Sequence, residues 1–151
     1  MKGNVSQSCE FQGEGGKASL ATDGNTDGNW RNGTVSRTCN TTASPWWMVE
    51  LPPSTYITNV TIYKCLDCSK KDLDDTEVQI INNEGIIAAS RYIAFSTEHE
   101  KFDFNFTNVG GRFVRVRVKN GKANNILQLS EVEVFGFQFN MTGKFDSGVP
   151  I

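Results

Sequence analysis

Between residues 13 and 32 the chain is poor in apolar side chains and dense in oxygen donors, centred on Leu20-Ala21-Thr22-Asp23-Gly24-Asn25-Thr26-Asp27-Gly28-Asn29. A hard cation such as Ca2+ takes about six to eight oxygens from carboxylates and backbone carbonyls, held on a sharply turned loop. Asp23 offers the charge, Gly24 the turn, and Asn25 and Leu20 can add carbonyl oxygens. The same Asp-Gly-Asn triplet is also an ordinary turn signal, because Asp and Asn side chains bond the backbone two residues on. Cysteines stand at 9, 39, 65 and 68. Their even number favours disulfides, and zinc is a poor match because the spacing contains a single C-x-x-C.

Little else could carry catalysis. The sole histidine, His99, sits in the polar run Thr97-Glu98-His99-Glu100 and reads as a solvated loop side chain. There is no His-x-x-x-His, no serine elbow and no carboxylate pair in apolar surroundings, so an enzyme is not expected. The surface does offer glycosylation, with Asn-x-Ser/Thr triplets beginning at Asn4, Asn32, Asn40, Asn59, Asn105 and Asn140. Six is roughly three times what chance gives for this Asn, Ser and Thr content, which favours a secreted glycoprotein or the extracellular face of a cell.

The elements that must position these residues are strands. With 151 residues, a net charge of −2 and no long basic or apolar run, the chain reads as one globular domain without a nucleic-acid partner or membrane span. Met1-Lys2-Gly3-Asn4 lacks the apolar run of a signal peptide, which suggests a trimmed leader or a module of a longer protein. Strands are predicted at Trp46–Leu51, Ile57–Lys64, Glu77–Ile81, Ile86–Ser90, Lys101–Phe106, Arg112–Val118 and Ile126–Phe135. Asn83-Glu84-Gly85 and Asn120-Gly121 read as tight turns between them. Trp46 and Trp47 are expected to carry two adjacent indoles into the core. Short strands with frequent turns indicate an all-β, antiparallel β-sandwich or jelly roll. The stretch 137–151, with Gly143, Gly148 and Pro150, reads as an extension or linker.

Two segments are uncommon by chance: Ser44-Pro45-Trp46-Trp47-Met48-Val49-Glu50-Leu51 and Leu129-Ser130-Glu131-Val132-Glu133-Val134-Phe135-Gly136. With Asp23-Gly24-Asn25 and Gly111-Arg112-Phe113-Val114-Arg115-Val116, they resemble the F-type lectin (fucolectin) family of discoidin-like, galactose-binding-like jelly rolls. The resemblance runs from about Asn4 to Gly136, and implies a lectin-like domain over residues 1–136. It also implies a structural Ca2+, held by Leu20, Asp23 and Asn25 and completed by Ser36, the Ser130 carbonyl and Glu131.

The family grips its sugar with a His, then an Arg-x-Asp, then a further Arg or Lys. The matching positions here are Cys39, Cys65-Leu66-Asp67 and Asp72, so the His and both cations are missing. A bridge common in the family is absent too, since its two positions read Arg37 and Ser130. The resemblance places Cys39 and Cys65 across the old pocket and so favours a Cys39–Cys65 disulfide, with Cys9 pairing to Cys68. The alternative is a local Cys65–Cys68 closure that leaves Cys39 for Cys9.

Trp30, Arg37, Lys64, Asp67, Lys70 and Lys71 fall around the same loop end, with Arg31 beside them. An indole next to cations can stack on a sugar face while the cations take a carboxylate or sulfate. Lys70 and Lys71 also read as a solvated loop balanced by Asp67, Asp72, Asp74 and Asp75. A glycan on Asn40 would crowd that end. Two functions are compatible with these residues. One is a Ca2+-containing carbohydrate-binding module with altered, non-fucose specificity; the other is a secreted or cell-surface protein-interaction or adhesion domain with no working sugar site.

Overall fold

The computed structural model describes residues 3–13, 15–40, 43–119 and 126–139, together with the backbone of 145–147. The predicted turn at Asn120-Gly121 and the acceptor Asn140 lie outside these residues. Among the described residues there are eight strands: β1 (Val5–Gln7), β2 (Ser36–Arg37), β3 (Trp46–Lys64), β4 (Thr76–Ile81), β5 (Ile87–Ile93), β6 (Lys101–Val118), β7 (Gln128–Phe139) and β8 (Phe145–Ser147). All pair antiparallel, in the order β2-β7-β3-β6-β4-β5, with β1 on β3 and β8 on β7. Short 3-10 turns at Ala18–Thr22 and Trp30–Asn32 shape the loop between β1 and β2.

Two long strands each join a pair of predicted ones. β3 continues through Pro52-Pro53-Ser54, where the register with β6 shifts and Ser54 takes a φ of 59°. Its first half pairs with β1 and the end of β6. Its second half lies between the start of β6 and β7. The two halves thus belong to the two layers of a sandwich, and prolines sit at the bend where ladder bonds are interrupted. β7 runs past Gly136 to Phe139, where Phe137 stacks on Tyr56 with centroids 5.4 Å apart, and β8 pairs back onto it.

Side chains alternate across each strand, so one face of each half-sheet fills a shared core. Trp47, Val49 and Leu51 of β3 pack with Val114, Val116 and Val118 of β6 and with Val78 and Ile80 of β4. Val60, Ile62, Val132 and Val134 close it from the other layer. The same alternation corrects one expectation. Trp47 is fully buried and donates its indole N–H to the Ala18 carbonyl at 2.9 Å, whereas Trp46 points to the opposite face and is only half-buried.

The expected Cys39–Cys65 disulfide is not formed. Cys9 pairs with Cys39 and Cys65 with Cys68, each with Cα atoms 5.5 Å apart. The cause is strand pairing: Ser8 N–H donates to the Trp46 carbonyl, and Glu10 bridges Thr38, which sets Cys9 beside Cys39. The chain after Cys65 turns at once, with Leu66 N–H on the Gly28 carbonyl, and brings Cys68 back to it. Gly28 permits this approach, because a Cβ there would lie 2.6 Å from Leu66 Cγ and 2.7 Å from the Lys64 carbonyl.

Bridges spanning 30 and 3 residues constrain the unfolded chain very differently. The chain-entropy estimate is about 3–4 kcal/mol for the first and about 2 kcal/mol for the second. Denaturant melts are expected to show C9S/C39S less stable than C65S/C68S by about 1–2 kcal/mol. Equal losses would mean that native-state packing around the bridges, and not loop length, sets their value.

Candidate functional site

The loop from Asp23 to Asn29 is built by a ladder of side-chain bonds two residues long. Asp23 Oδ1 accepts from Asn25 N–H at 2.8 Å, Asn25 Oδ1 from Asp27 N–H at 2.9 Å, and Asp27 Oδ1 from Asn29 N–H at 3.1 Å. The alternation Asp-x-Asn-x-Asp-x-Asn supplies these Asx turns, and Gly24, at φ 84°, makes the left-handed step. Asp27 is not among the expected site residues, and the signal for it is this two-residue repeat. It also accepts from the Asn32 side chain at 2.8 Å, while its backbone carbonyl takes the Thr34 hydroxyl at 2.6 Å. Its pKa is lowered, chiefly by the bonds from the Asn32 and Asn29 side chains.

β7 reaches this loop from the core side. Glu131 is only 4% exposed, and its Oε1 accepts Gly24 N–H at 3.2 Å. Its Oε2 is buried with no hydrogen-bond partner. Burial, with Asp23 and Glu133 adding repulsion, pushes the Glu131 carboxyl up to about 7 from its ordinary 4.5, although the loop N–H groups pull the other way. The neighbouring Ser130 is fully buried, and its hydroxyl also lacks a partner. Ser36, paired with Leu129 across β2 and β7, donates its hydroxyl to the Leu129 carbonyl at 3.1 Å. Leu20 lies in the 3-10 turn that packs on β7 and β2. A partnerless buried carboxylate oxygen near a second carboxylate, on an oxygen-rich loop, fits a hard cation.

The expected ligand cluster divides in two. Arg37 lies over the Phe11 and Trp30 rings, 4.7 and 5.1 Å from their centroids, and the rings meet edge to face. Asp67 belongs to this side, since its oxygens accept Trp30 N–H at 2.6 Å and Arg31 N–H at 3.3 Å. Lys64 is not a surface cation. Its ammonium is buried and donates to the Lys70 and Ser96 carbonyls, and burial lowers its pKa against the pull of Asp72 and Asp74. Lys70 lines a separate cleft of about 240 Å³ with Leu66, Thr97, Glu98, His99 and Glu100. Lys71 is exposed on the turn after Lys70, so the three lysines do not join Trp30 and Arg37 in one site.

The positions matching the family's sugar grip face inward or cap backbone. Cys39 is bridged to Cys9 and Cys65 to Cys68, and Asp72 is buried and accepts from the Gln128 side chain at 2.6 Å. Among the glycosylation candidates, Asn4, Asn32, Asn40 and Asn105 are exposed, and Asn59 is half-buried within β3.

This jelly roll, with loops gathered at one end, is that of a carbohydrate-binding, lectin-like module. The F5/F8 type C family model described as a NedA-like, galactose-binding domain matches residues 20–116. Fucolectin-1 of Anguilla japonica is 34% identical over 142 residues, covering 89% of this chain and 78% of its own length. The lectin domain of lectinolysin complexed with Lewis B antigen superposes with a TM-score of 0.80 at 29% identity, over 88% of this chain and 92% of that one. The F-lectin from striped bass (Morone saxatilis) serum gives 0.79 at 30% identity, over 91% of this chain, which spans about half of that lectin. The chain belongs to the F-type lectin (fucolectin) family.

Glu131 makes a pH prediction. A carboxyl raised in the fold favours its protonated form, so its stabilising contribution is complete below about 4.5 and is lost as pH rises through about 7. In chelator, the stability of the native protein minus that of Glu131→Gln should therefore fall across this window. A flat difference in thermal melts from pH 4.5 to 8 would refute the assigned burial.

Proposed function

We propose that the protein is an extracellular, calcium-pinned carbohydrate-binding module whose specificity has moved away from fucose. The observation that carries this reading is the fate of the grip positions: Cys39 is bridged to Cys9 and Cys65 to Cys68, Asp67 caps the backbone of Trp30 and Arg31, and Asp72 is buried against Gln128. None supplies a cation to a sugar hydroxyl. The other side of the loop end retains an aromatic surface, Phe11 and Trp30, of the kind that stacks on sugar rings.

Calcium in this reading is held by Asp23 and Glu131, with carbonyls of Leu20, Asn25 and Ser130 and the Ser36 hydroxyl. It neutralises the buried carboxylate and holds the Asx ladder against β7, at a distance from the ligand. Two disulfides and exposed sequons support the extracellular assignment.

A glycan array with oxidised protein, including fucosylated, sulfated and carboxylated structures, tests the reading. Selective binding that is lost in EDTA is expected, with fucosylated glycans not preferred. Calcium should raise the melting temperature, and more at pH 8 than at pH 5.5, because protons compete for Glu131. Preferred binding of simple fucosides would overturn the altered specificity. A blank array from folded protein would favour a protein-interaction domain on the lectin scaffold.

A further inference from the structure

A sugar site at the loop end leaves the class of sugar open. Resting on that reading of the site, we propose that the ligand is an acidic saccharide, carrying a carboxylate or sulfate, and that Arg37 is the residue that reads the charge. The guanidinium carbon of Arg37 lies 4.7 Å from the Phe11 centroid and 5.1 Å from that of Trp30, and the two rings are 5.5 Å apart at 79°. Rings against a guanidinium hold it by cation–π attraction and restrict its rotation.

Those donors have no acceptor among the described residues. The Nε is buried without a partner, and neither ion pairs nor side-chain hydrogen bonds engage the rest of the group. Four other arginines behave differently: Arg91 donates to the Ser90 and Asn105 carbonyls, Arg112 to Glu50 and the Leu51 carbonyl, Arg115 to Gln79, and Arg117 to Glu77. Asp67 forms no ion pair with Arg37 among the described residues; its two oxygens accept the backbone N–H groups of Trp30 and Arg31. A planar fork held against aromatic rings, with no acceptor among the described residues, is suited to a bidentate anion.

The lysines do not supply an alternative reader. Lys64 is spent on two carbonyls, and Lys70 opens onto a cleft that also carries Glu98 and Glu100. The chain as a whole is anionic at −2, so an acidic sugar must be recognised locally and not by a general field.

Calorimetric titration of the oxidised, calcium-loaded protein tests this with four probes: glucuronic acid, galactose 3-sulfate, neutral galactose and inorganic sulfate. One or both acidic sugars should bind about tenfold or more tightly than galactose, and their relative affinity separates carboxylate from sulfate. Arg37→Gln should abolish that preference, and Arg37→Lys should restore only part of it, with thermal melts confirming that both fold. Neutral sugar binding as well as acidic, unchanged in Arg37→Gln, overturns the inference but leaves the sugar site intact. Inorganic sulfate binding as tightly as galactose 3-sulfate also overturns it, since the sugar ring would then contribute nothing. No binding of any sugar, acidic or neutral, by folded protein overturns both readings together.

Discussion

A carboxylate taken out of water must be paired, protonated or bound to a cation, because isolated burial costs several kcal/mol or more. Glu131 faces this choice on the inner edge of β7, 107 residues away from the loop whose Gly24 N–H it accepts. The seating of the Asp23–Asn29 loop on β7 depends on how that choice is resolved. The Asx ladder from Asp23 to Asn29 has little apolar burial of its own, so its position is set by what meets it from below. That contact carries through to Trp30, whose backbone N–H is the next to be captured, by Asp67.

The lower support of the same loop is apolar. Trp47 fills the core and still satisfies its indole N–H, on the Ala18 carbonyl at the start of the 3-10 turn. One side chain thereby ties the sandwich to the loop without leaving a buried donor unmet. The Cys9–Cys39 bridge fastens the N-terminal stretch to the strand end carrying Arg37, and Cys65–Cys68 holds the turn that presents Asp67. Three kinds of constraint therefore converge on the loop end: a buried charge, a buried indole and covalent closure. They decide where Phe11, Trp30 and Arg37 can be.

How far the sequence reports this differs by element. Period-two alternation at Trp46–Leu51, Arg112–Val118 and Leu129–Val134 identifies strands because one face of each is buried, and burial is what the pattern records. Joining them into two long bent strands is not legible, since Pro52-Pro53 and Gly110-Gly111 look like breaks locally and act as bends only when both flanking halves find partners. The same limit explains Trp46 and the disulfides. Two indoles in a row say nothing about which faces inward until the register with β6 is known. Cysteine pairing depends on β1 lying against β3, and three residues from Val5 to Gln7 are too few to announce themselves. The oxygen-rich loop is readable from composition, and Glu131 is placed by resemblance. Asp27 escapes notice because its role comes from a two-residue repeat and not from its charge.

The basic residues near the loop end divide by environment. Along the chain Lys64, Lys70 and Lys71 look equivalent to Arg37. In the fold their environments are opposite: the Lys64 ammonium is consumed internally, and Lys70 belongs to a cleft with two glutamates. Arg37 stands at a position where the family commonly has half of a disulfide. By resemblance that bridge would join β2 to β7; the Cys9–Cys39 bridge two residues away instead ties the N-terminal stretch to the end of β2. Arg37 at this position carries its guanidinium against the Phe11 and Trp30 rings. In the proposed reading, recognition lies along the loop end from the positions that match the family's grip, which are held in disulfides, buried or bonded to backbone.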